Sequence, residues 1–193
     1  FYQCSSLREI RILAPLKVIE DNAFRGCISL EQIDIPKHLT SIGNYAFAEC
    51  KALSQFQIPE SVCSIGDYAF NGCSLLNELR IPSSVTSIGN SAFSCCSSLK
   101  QVELSPNVKL LKDGTFNGCT NITEITIDPY QTKYNDDPFK NCSSLNHLIL
   151  GNSVDKTSKL NNFPIIKRMA KITISSSVTK IEANSFQGCT SLV

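Results

Sequence analysis

One residue type, phenylalanine, recurs along this chain at a nearly constant interval. The interval is 23 residues throughout, except for one of 24 between Phe139 and Phe163. A fixed period of this length is the mark of a repeat protein, in which each short unit stacks on its neighbour. The phenylalanines that mark the units are Phe1, Phe24, Phe47, Phe70, Phe93, Phe116, Phe139, Phe163 and Phe186.

The other apolar residues keep fixed positions in the unit, counted here from its Phe as position 1. Position 4 is Cys in most units, position 7 is Leu, Ile or Met, and positions 10, 12, 16 and 19 are mostly apolar. The alternation at positions 10 to 12 predicts a half-buried strand. Pro36, at position 13, ends that strand because proline has no N–H for a ladder. Gly43, at position 20, predicts a turn, and the spacing A-F-x-x-C-x-x-L indicates a short helical or 3₁₀ turn.

No single unit can bury its own apolar side chains, so stacking must align equal positions into continuous columns. The pattern L-x-x-I-x-I-P-x-x-V-x-x-I-G-x-x-A-F-x-x-C resembles the BspA-type leucine-rich repeat over essentially the whole chain. The resemblance implies a leucine-rich-repeat solenoid. This is a curved right-handed stack of 23-residue units, with a parallel β-sheet on the concave face and short strands or 3₁₀ turns on the convex side.

We expect one array over residues 1–193, with about eight full repeats and a partial one. The sequence opens and stops inside a unit, which predicts a fragment of a longer protein. Regularity is lost at 128–162, where the segment PYQTKYNDDP replaces the usual residues. Loops that break a repeat can bind partners. Tyr130 and Tyr134 are therefore candidate contact residues there, although tolerated drift explains the segment equally simply.

Eight of the ten cysteines fall at position 4. A disulfide ladder and a metal site are the chemical alternatives to a buried column of thiols that act as small apolar groups. The column is favoured because Ile166 takes position 4 in one unit, and Ile replaces a packed thiol but not a ligand. No C-x₂-C spacing of the usual zinc type occurs. Cys63 and Cys95 lie outside the column, and Cys63 is expected to be exposed.

Nothing in the sequence predicts a catalytic site, a metal or a cofactor. The two histidines, His38 and His147, fall at positions 15 and 9, so we expect them on different faces. Asp136 and Asp137 are adjacent but lack the further ligands of a calcium site, which favours a solvated loop. Asn121 and Asn141 begin glycosylation sequons, beside buried positions where occupancy is doubtful.

Positions 9 and 11 of each strand should point away from the core, because positions 10 and 12 point into it. Repeat solenoids commonly bind through this face. The inner positions are nearly invariant among the units, whereas the outer ones vary, as specificity would require. The outer rows are Arg11, Asp34, Gln57, Arg80, Glu103, Thr126, Ile149 and Thr173 at position 11, and Glu9, Gln32, Gln55, Glu78, Gln101, Glu124, His147 and Lys171 at position 9.

These observations predict a binding module rather than an enzyme, with a protein or glycan as ligand. A net charge of +1 gives no reason to expect nucleic acid, and no apolar run is long enough to insert into a membrane. The family resemblance implies a secreted or cell-surface protein that adheres to host or neighbouring cells. The alternative is an intracellular or structural scaffold that self-associates. Because nothing polar covers the terminal units, we also expect end-to-end packing.

Overall fold

The computed structural model describes residues 1–127, 133–134, 137–151 and 164–193, with residues 133–134 and Pro164 described by their backbone only. The predicted period appears as two faces of short parallel strands joined by turns. We call the face formed by positions 9 to 12 the front sheet, the concave side of the solenoid, and the opposite face, at positions 18 and 19, the return sheet.

The front sheet is built from strands that pair in register one unit apart. Glu9 pairs with Gln32, and Glu124 pairs with His147. The extra residue of the 24-residue interval lies between the last two strands, so the last pairing still sets like positions together, with His147 opposite Lys171. Its strands are β1 (Glu9–Arg11), β3 (Gln32–Asp34), β6 (Leu79–Arg80), β8 (Gln101–Glu103), β10 (Glu124–Ile127), β12 (His147–Leu150) and β13 (Lys171–Thr173).

The return sheet has six strands of two residues each in the described chain. Its inward residue is Ile in most units, as in Ile42 and Ile65, both 2% exposed. The strands are β2 (Val18–Ile19), β4 (Ser41–Ile42), β5 (Ser64–Ile65), β7 (Ser87–Ile88), β9 (Leu110–Leu111) and β11 (Lys133–Tyr134). The apolar residue at position 19 of the sequence pattern therefore lies in a short strand on the far side, as predicted.

The front sheet, which the repeat pattern predicts, is interrupted once among the described residues. It divides into β1–β3 and a five-stranded part from β6 to β13, with residues 54–58 assigned to neither. Position 10 of this unit is Phe56, where neighbouring units carry Ile33 and Leu79. The Phe56 ring packs against Phe47 and Phe70, with centroids 5.0 and 4.8 Å apart. The larger ring at position 10 distinguishes this unit from its neighbours, and we attribute the missing strand pairing to it.

The core consists of columns of equal residues, as the stacking argument requires. The phenylalanines from Phe1 to Phe139 lie ring over ring, with neighbouring centroids 5.1–5.5 Å apart. The predicted turn after each Phe is 3₁₀-like, since Cys27 N–H donates to Phe24 C=O and Leu30 N–H donates to Cys27 C=O. In the unit with the extra residue, a 3₁₀ helix (Pro164–Arg168) replaces that turn and buries Ile166 at position 4.

A second column, of alternating Asp and Asn, runs beside the return sheet at position 21. Asp21 Oδ1 accepts from the Asn44 N–H at 2.6 Å, and the Asn44 side-chain amide donates to Asp21 Oδ2 at 3.1 Å. Asn44 Oδ1 then accepts from the Asp67 N–H, and Asn90 repeats both contacts with Asp67. This ladder explains the neighbouring glycine, because a Cβ on Gly43 would lie 2.5 Å from Asp21 Oδ1.

Candidate binding surface

The strands of the front sheet place the side chains of positions 9 and 11 outward, as predicted. Gln32 and Asp34 are exposed on either side of the half-buried Ile33, and Glu103 is exposed next to the buried Val102. Every residue that we predicted in these two rows, from Glu9 to Thr173, is exposed or half-buried in the structure. The strand pairings set the residues of each row side by side along the stack.

Several charges of the rows are paired with each other or with their surroundings. Arg11 Nε lies 3.1 Å from Asp34 Oδ2, and Arg80 lies 4.0 Å from Glu60. Both pairs are exposed, so each adds little to stability. Their effect is to fix a pattern of charge on the face. Thr126 and Ile149 are half-buried, so the last units present a less polar surface.

A wide groove marks the break in the front sheet. Its volume is about 1130 Å³, and it extends from Glu31 in the unit before the break to Arg80 in the unit after it. A smaller groove of about 260 Å³ continues from it over the next units as far as Thr126. The two grooves share Glu78 and Arg80 in their linings. The candidate site is therefore a longer track on the face, and no sequence pattern pointed to its deepest part.

The charges lining the two grooves are unbalanced. They comprise six carboxylates and two cations, whereas the whole chain has a net charge of +1. In the described part of the chain, Glu78 and Glu103 take part in no ion pair. The lining carboxylates are Glu31, Asp34, Glu60, Glu78, Glu103 and Glu124, and the lining cations are Lys37 and Arg80.

Sequence reasoning missed a contact of three side chains on β10, β12 and β13. His147 Nδ1 lies 3.2 Å from Glu124 Oε2, and His147 Nε2 lies 2.8 Å from Thr173 Oγ1. One neutral tautomer, with Nδ1 donating to the carboxylate and Nε2 accepting from the hydroxyl, satisfies both contacts. The order carboxylate, imidazole, hydroxyl is that of hydrolase triads. Thr173 is exposed on the open face of the sheet. What the geometry shows directly is that the two contacts orient the His147 ring.

The loop candidates fall largely outside the described residues. Tyr130 lies there, and Tyr134 is described only as part of the backbone of β11, where Lys133 pairs with Leu110. Asp136 also lies outside. Asp137 differs from the solvated residue that we expected, because it is half-buried and its carboxylate lies 3.4 Å from Arg168. Asn121 is exposed, and the Asn141 amide donates to Asn117 Oδ1 at 3.0 Å.

The six inner members of the cysteine column, from Cys27 to Cys142, are buried and each thiol has a hydrogen-bond partner, whereas Cys4 is exposed and Cys189 is half-buried. The thiol donates to the carbonyl of the Phe in the preceding unit, with sulfur–oxygen distances of 3.1–3.3 Å from Cys27 to Cys142. Burial raises the pKa of the Cys50 and Cys142 thiols to about 12. All cysteines are free, and Cys63 and Cys95 are exposed. The column is thus a packing element, with a hydrogen bond that the sequence did not reveal.

The described residues contain neither a metal-binding group nor a membrane-spanning helix. No group of three or more His, Cys, Asp or Glu is arranged to hold a metal ion. Among the elements that the structure describes, no helix has the length and apolar character to cross a bilayer.

Comparison with known proteins agrees with the repeat pattern. A family model described as "BspA type Leucine rich repeat region (6 copies)" matches residues 1–97 and 63–193. A leucine-rich repeat protein of T. pallidum is 33% identical, with a TM-score of 0.70, over 75% of this chain and 68% of that one. A leucine-rich cell surface protein from Faecalibacterium prausnitzii is 23% identical, with a TM-score of 0.56, over 100% and 65%.

The pneumococcal vaccine antigen PcpA is 18% identical, with a TM-score of 0.62, over 90% of this chain and 41% of its own. At 23% and 18% identity, the Faecalibacterium prausnitzii protein and PcpA are comparable with this chain in fold only. A search of curated proteins found no match. The leucine-rich repeat solenoid is the scaffold of binding modules, and its families are typically not enzymes.

Proposed function

This chain belongs to the BspA-type leucine-rich repeat family, and from that premise we propose that it binds a macromolecular partner through its front sheet. The partner is a protein or glycan of a host or neighbouring cell, and the protein acts at the cell surface. The observation that carries the proposal is the grooved, outward-facing track from Glu31 to Thr126.

The test reverses the charge pattern of the face without changing the net charge. The variant R11E/D34K/R80E/E103K exchanges the signs of Arg11 and Asp34, which form an ion pair, and of Arg80 and Glu103, which lie side by side in register. Opposite charges stay adjacent within each exchanged pair, and the Arg80–Glu60 contact that is lost is long and exposed, so we expect the free energy of unfolding to change by less than about 1 kcal/mol. The wild type and the variant are compared on an array of purified extracellular-matrix proteins and cell-surface glycans.

We expect the wild type to bind at least one member of the array and the variant to lose about tenfold or more in affinity for it, because like charges then face each other across the interface. Urea unfolding of both proteins controls for stability. Equal binding by the two proteins would move the site to the loops or to the return side.

A further inference from the structure

The break at residues 54–58 and the excess negative charge occur at the same place on the front sheet. We infer that this track takes an extended polypeptide segment rich in Lys or Arg, presented by the partner. The inference rests on the proposed function, because it names the chemistry of the partner for the same face. Three features of the described residues carry it.

The first feature is the backbone at the break. Ladder hydrogen bonds join β1 to β3 and join β6 to β8, but within the described chain none involves the N–H or C=O groups of Gln55, Phe56 or Gln57. Backbone groups that find no partner in the protein must be satisfied by water or by a ligand. A polypeptide that lies along the track crosses these residues and offers them donors and acceptors in alternation.

The second feature is the charge. Six carboxylates and two cations line the track. Glu31, Asp34 and Glu60 are paired with arginines and Glu124 contacts His147, whereas Glu78 and Glu103 are exposed with no ion pair in the described chain. A surface with an excess of one sign steers ligands of the opposite sign and disfavours those of the same sign. Anionic partners, such as nucleic acid or sulfated glycans, are therefore disfavoured on this face.

The third feature is the lack of an exposed aromatic surface. The one aromatic residue in the linings of the two grooves is Phe56, which is 7% exposed because its ring packs at a steep angle against the stacked rings of Phe47 and Phe70. A neutral sugar has no ring face to stack on here. Amides and carboxylates, by contrast, are good acceptors for Lys and Arg side chains. Among the two ligand classes of the proposed function, the track thus favours protein.

The experiment measures binding of a fluorescent peptide of about ten residues, alternating Lys and Ser, which spans roughly 33 Å when extended. A peptide with Glu in place of Lys is the matched probe, and a neutral chito-oligosaccharide tests the glycan alternative. Fluorescence anisotropy gives the Kd. We expect the Lys peptide to bind and the other two probes not to bind. Affinity for it should fall as salt rises from about 10 to about 100 mM, over which the Debye length shortens from about 30 to about 10 Å.

Three variants locate the site. Glu78→Lys reverses an unpaired charge in both grooves and should weaken binding about five- to tenfold. Glu20→Lys makes the same charge change at an exposed residue next to β2, on the return side, and should leave the Kd within about twofold. Phe56→Leu restores the residue size of the neighbouring units and keeps every charge. It should let residues 55–58 rejoin the ladder and weaken binding although no contact charge is lost.

Equal losses in Glu78→Lys and Glu20→Lys would attribute binding to overall charge and overturn the inference. Unchanged binding in a folded Phe56→Leu protein, checked by circular dichroism, would also overturn it. If Phe56→Leu does not fold, the comparison of the two Lys variants decides. If no Lys peptide binds while the four-residue charge reversal still abolishes binding on the array, this inference fails and the proposed function stands. If neither probe set binds, both fail.

Discussion

At the residue scale, the cysteine column shows why position 4 is so constant. A thiol is small enough for the stack, and its S–H donates to the carbonyl of the Phe one unit earlier, as Cys73 does to Phe47 at 3.2 Å. The same carbonyl accepts the Cys50 N–H, so the thiol provides its second hydrogen bond. Ala would remove this second bond and leave a gap in the stack, whereas Ser would keep a donor but bury a more polar group. Cys meets both demands of the site.

The same thiols predict how stability depends on alkaline pH. The ordinary pKa of Cys is 9.0, and burial raises the pKa of Cys50 and Cys142 to about 12. The unfolded chain therefore loses these protons first, so the stabilisation is complete below pH 9.0 and is lost as the pH rises towards about 12. Each thiol should lower the free energy of unfolding by about 1.4 kcal/mol per pH unit in that window.

Urea unfolding from about pH 8 to about pH 10.5 tests this, with Cys50→Val/Cys142→Val as the comparison. The double variant should be less stable at neutral pH and should show a shallower alkaline slope. Lys and Tyr titrate equally in both proteins, so their contribution cancels. Identical slopes would mean that the thiols are not buried as described.

The Glu124, His147 and Thr173 contact shows the limit of sequence reasoning at this scale. The pattern correctly placed each residue on the outer face. It could not bring them together, because His147 at position 9 reaches diagonally to Thr173 at position 11 across the unit with the extra residue. Such diagonal contacts depend on side-chain rotamers and on exact register, and neither is visible in the spacing of apolar residues.

At the element scale, the period predicted the strands and their register well because burial repeats every unit. The apolar pattern did not predict the break in the front sheet, for a related reason. Phe56 and Ile33 are both apolar, so the pattern scores them alike, yet the larger ring packs against Phe47 and Phe70 and takes the strand out of the ladder. The apolar pattern specifies which face of a strand points into the core, whereas side-chain volume decides whether that strand can pair with its neighbours.

The Asp–Asn ladder beside the return sheet gives the second prediction about stability. Asn44→Asp would replace the amide that donates to Asp21 with a carboxylate lying between Asp21 and Asp67. We expect a loss of about 1–2 kcal/mol in the free energy of unfolding at pH 7, from the lost donor and the repulsion between like charges. Repulsion raises the pKa of the new carboxyl, so the deficit should shrink as the pH falls and that group is protonated.

The matched control is Asn22→Asp. Asn22 Oδ1 accepts from Arg25 at 3.1 Å, so the same substitution there places a carboxylate beside a cation. We expect that variant to be as stable as the wild type or slightly more stable. Thermal unfolding of both variants at neutral and acid pH provides the measurement, and equal losses in the two would contradict the ladder as a source of stability.

At the scale of the whole molecule, the exposed terminal units predict head-to-tail association. Phe1 covers one face of Phe24, at 5.3 Å, and is itself 63% exposed, while Ile181 is 58% exposed near the other end. Complementary surfaces at opposite ends give a heterologous contact. Sedimentation velocity of the 193-residue chain should therefore show species larger than monomers as the concentration rises.

Two end variants separate this arrangement from a symmetric dimer. Phe1→Glu and Ile181→Glu each place a charge at one end, so each protein alone should stay monomeric. A mixture of the two should form heterodimers through the two intact ends. A monomeric wild type at millimolar concentration would rule out the association, and self-association of either variant alone would indicate contact between like ends.

The alternation of Asp21, Asn44, Asp67 and Asn90 has a consequence for how an array of this kind can change its length. Duplicating or deleting one unit in this stretch would set two carboxylates or two amides side by side, because Asp and Asn alternate from one unit to the next. Adding or removing units in pairs would keep every donor opposite an acceptor. The backbone therefore repeats every unit, but the donor and acceptor side chains of the ladder repeat every two units.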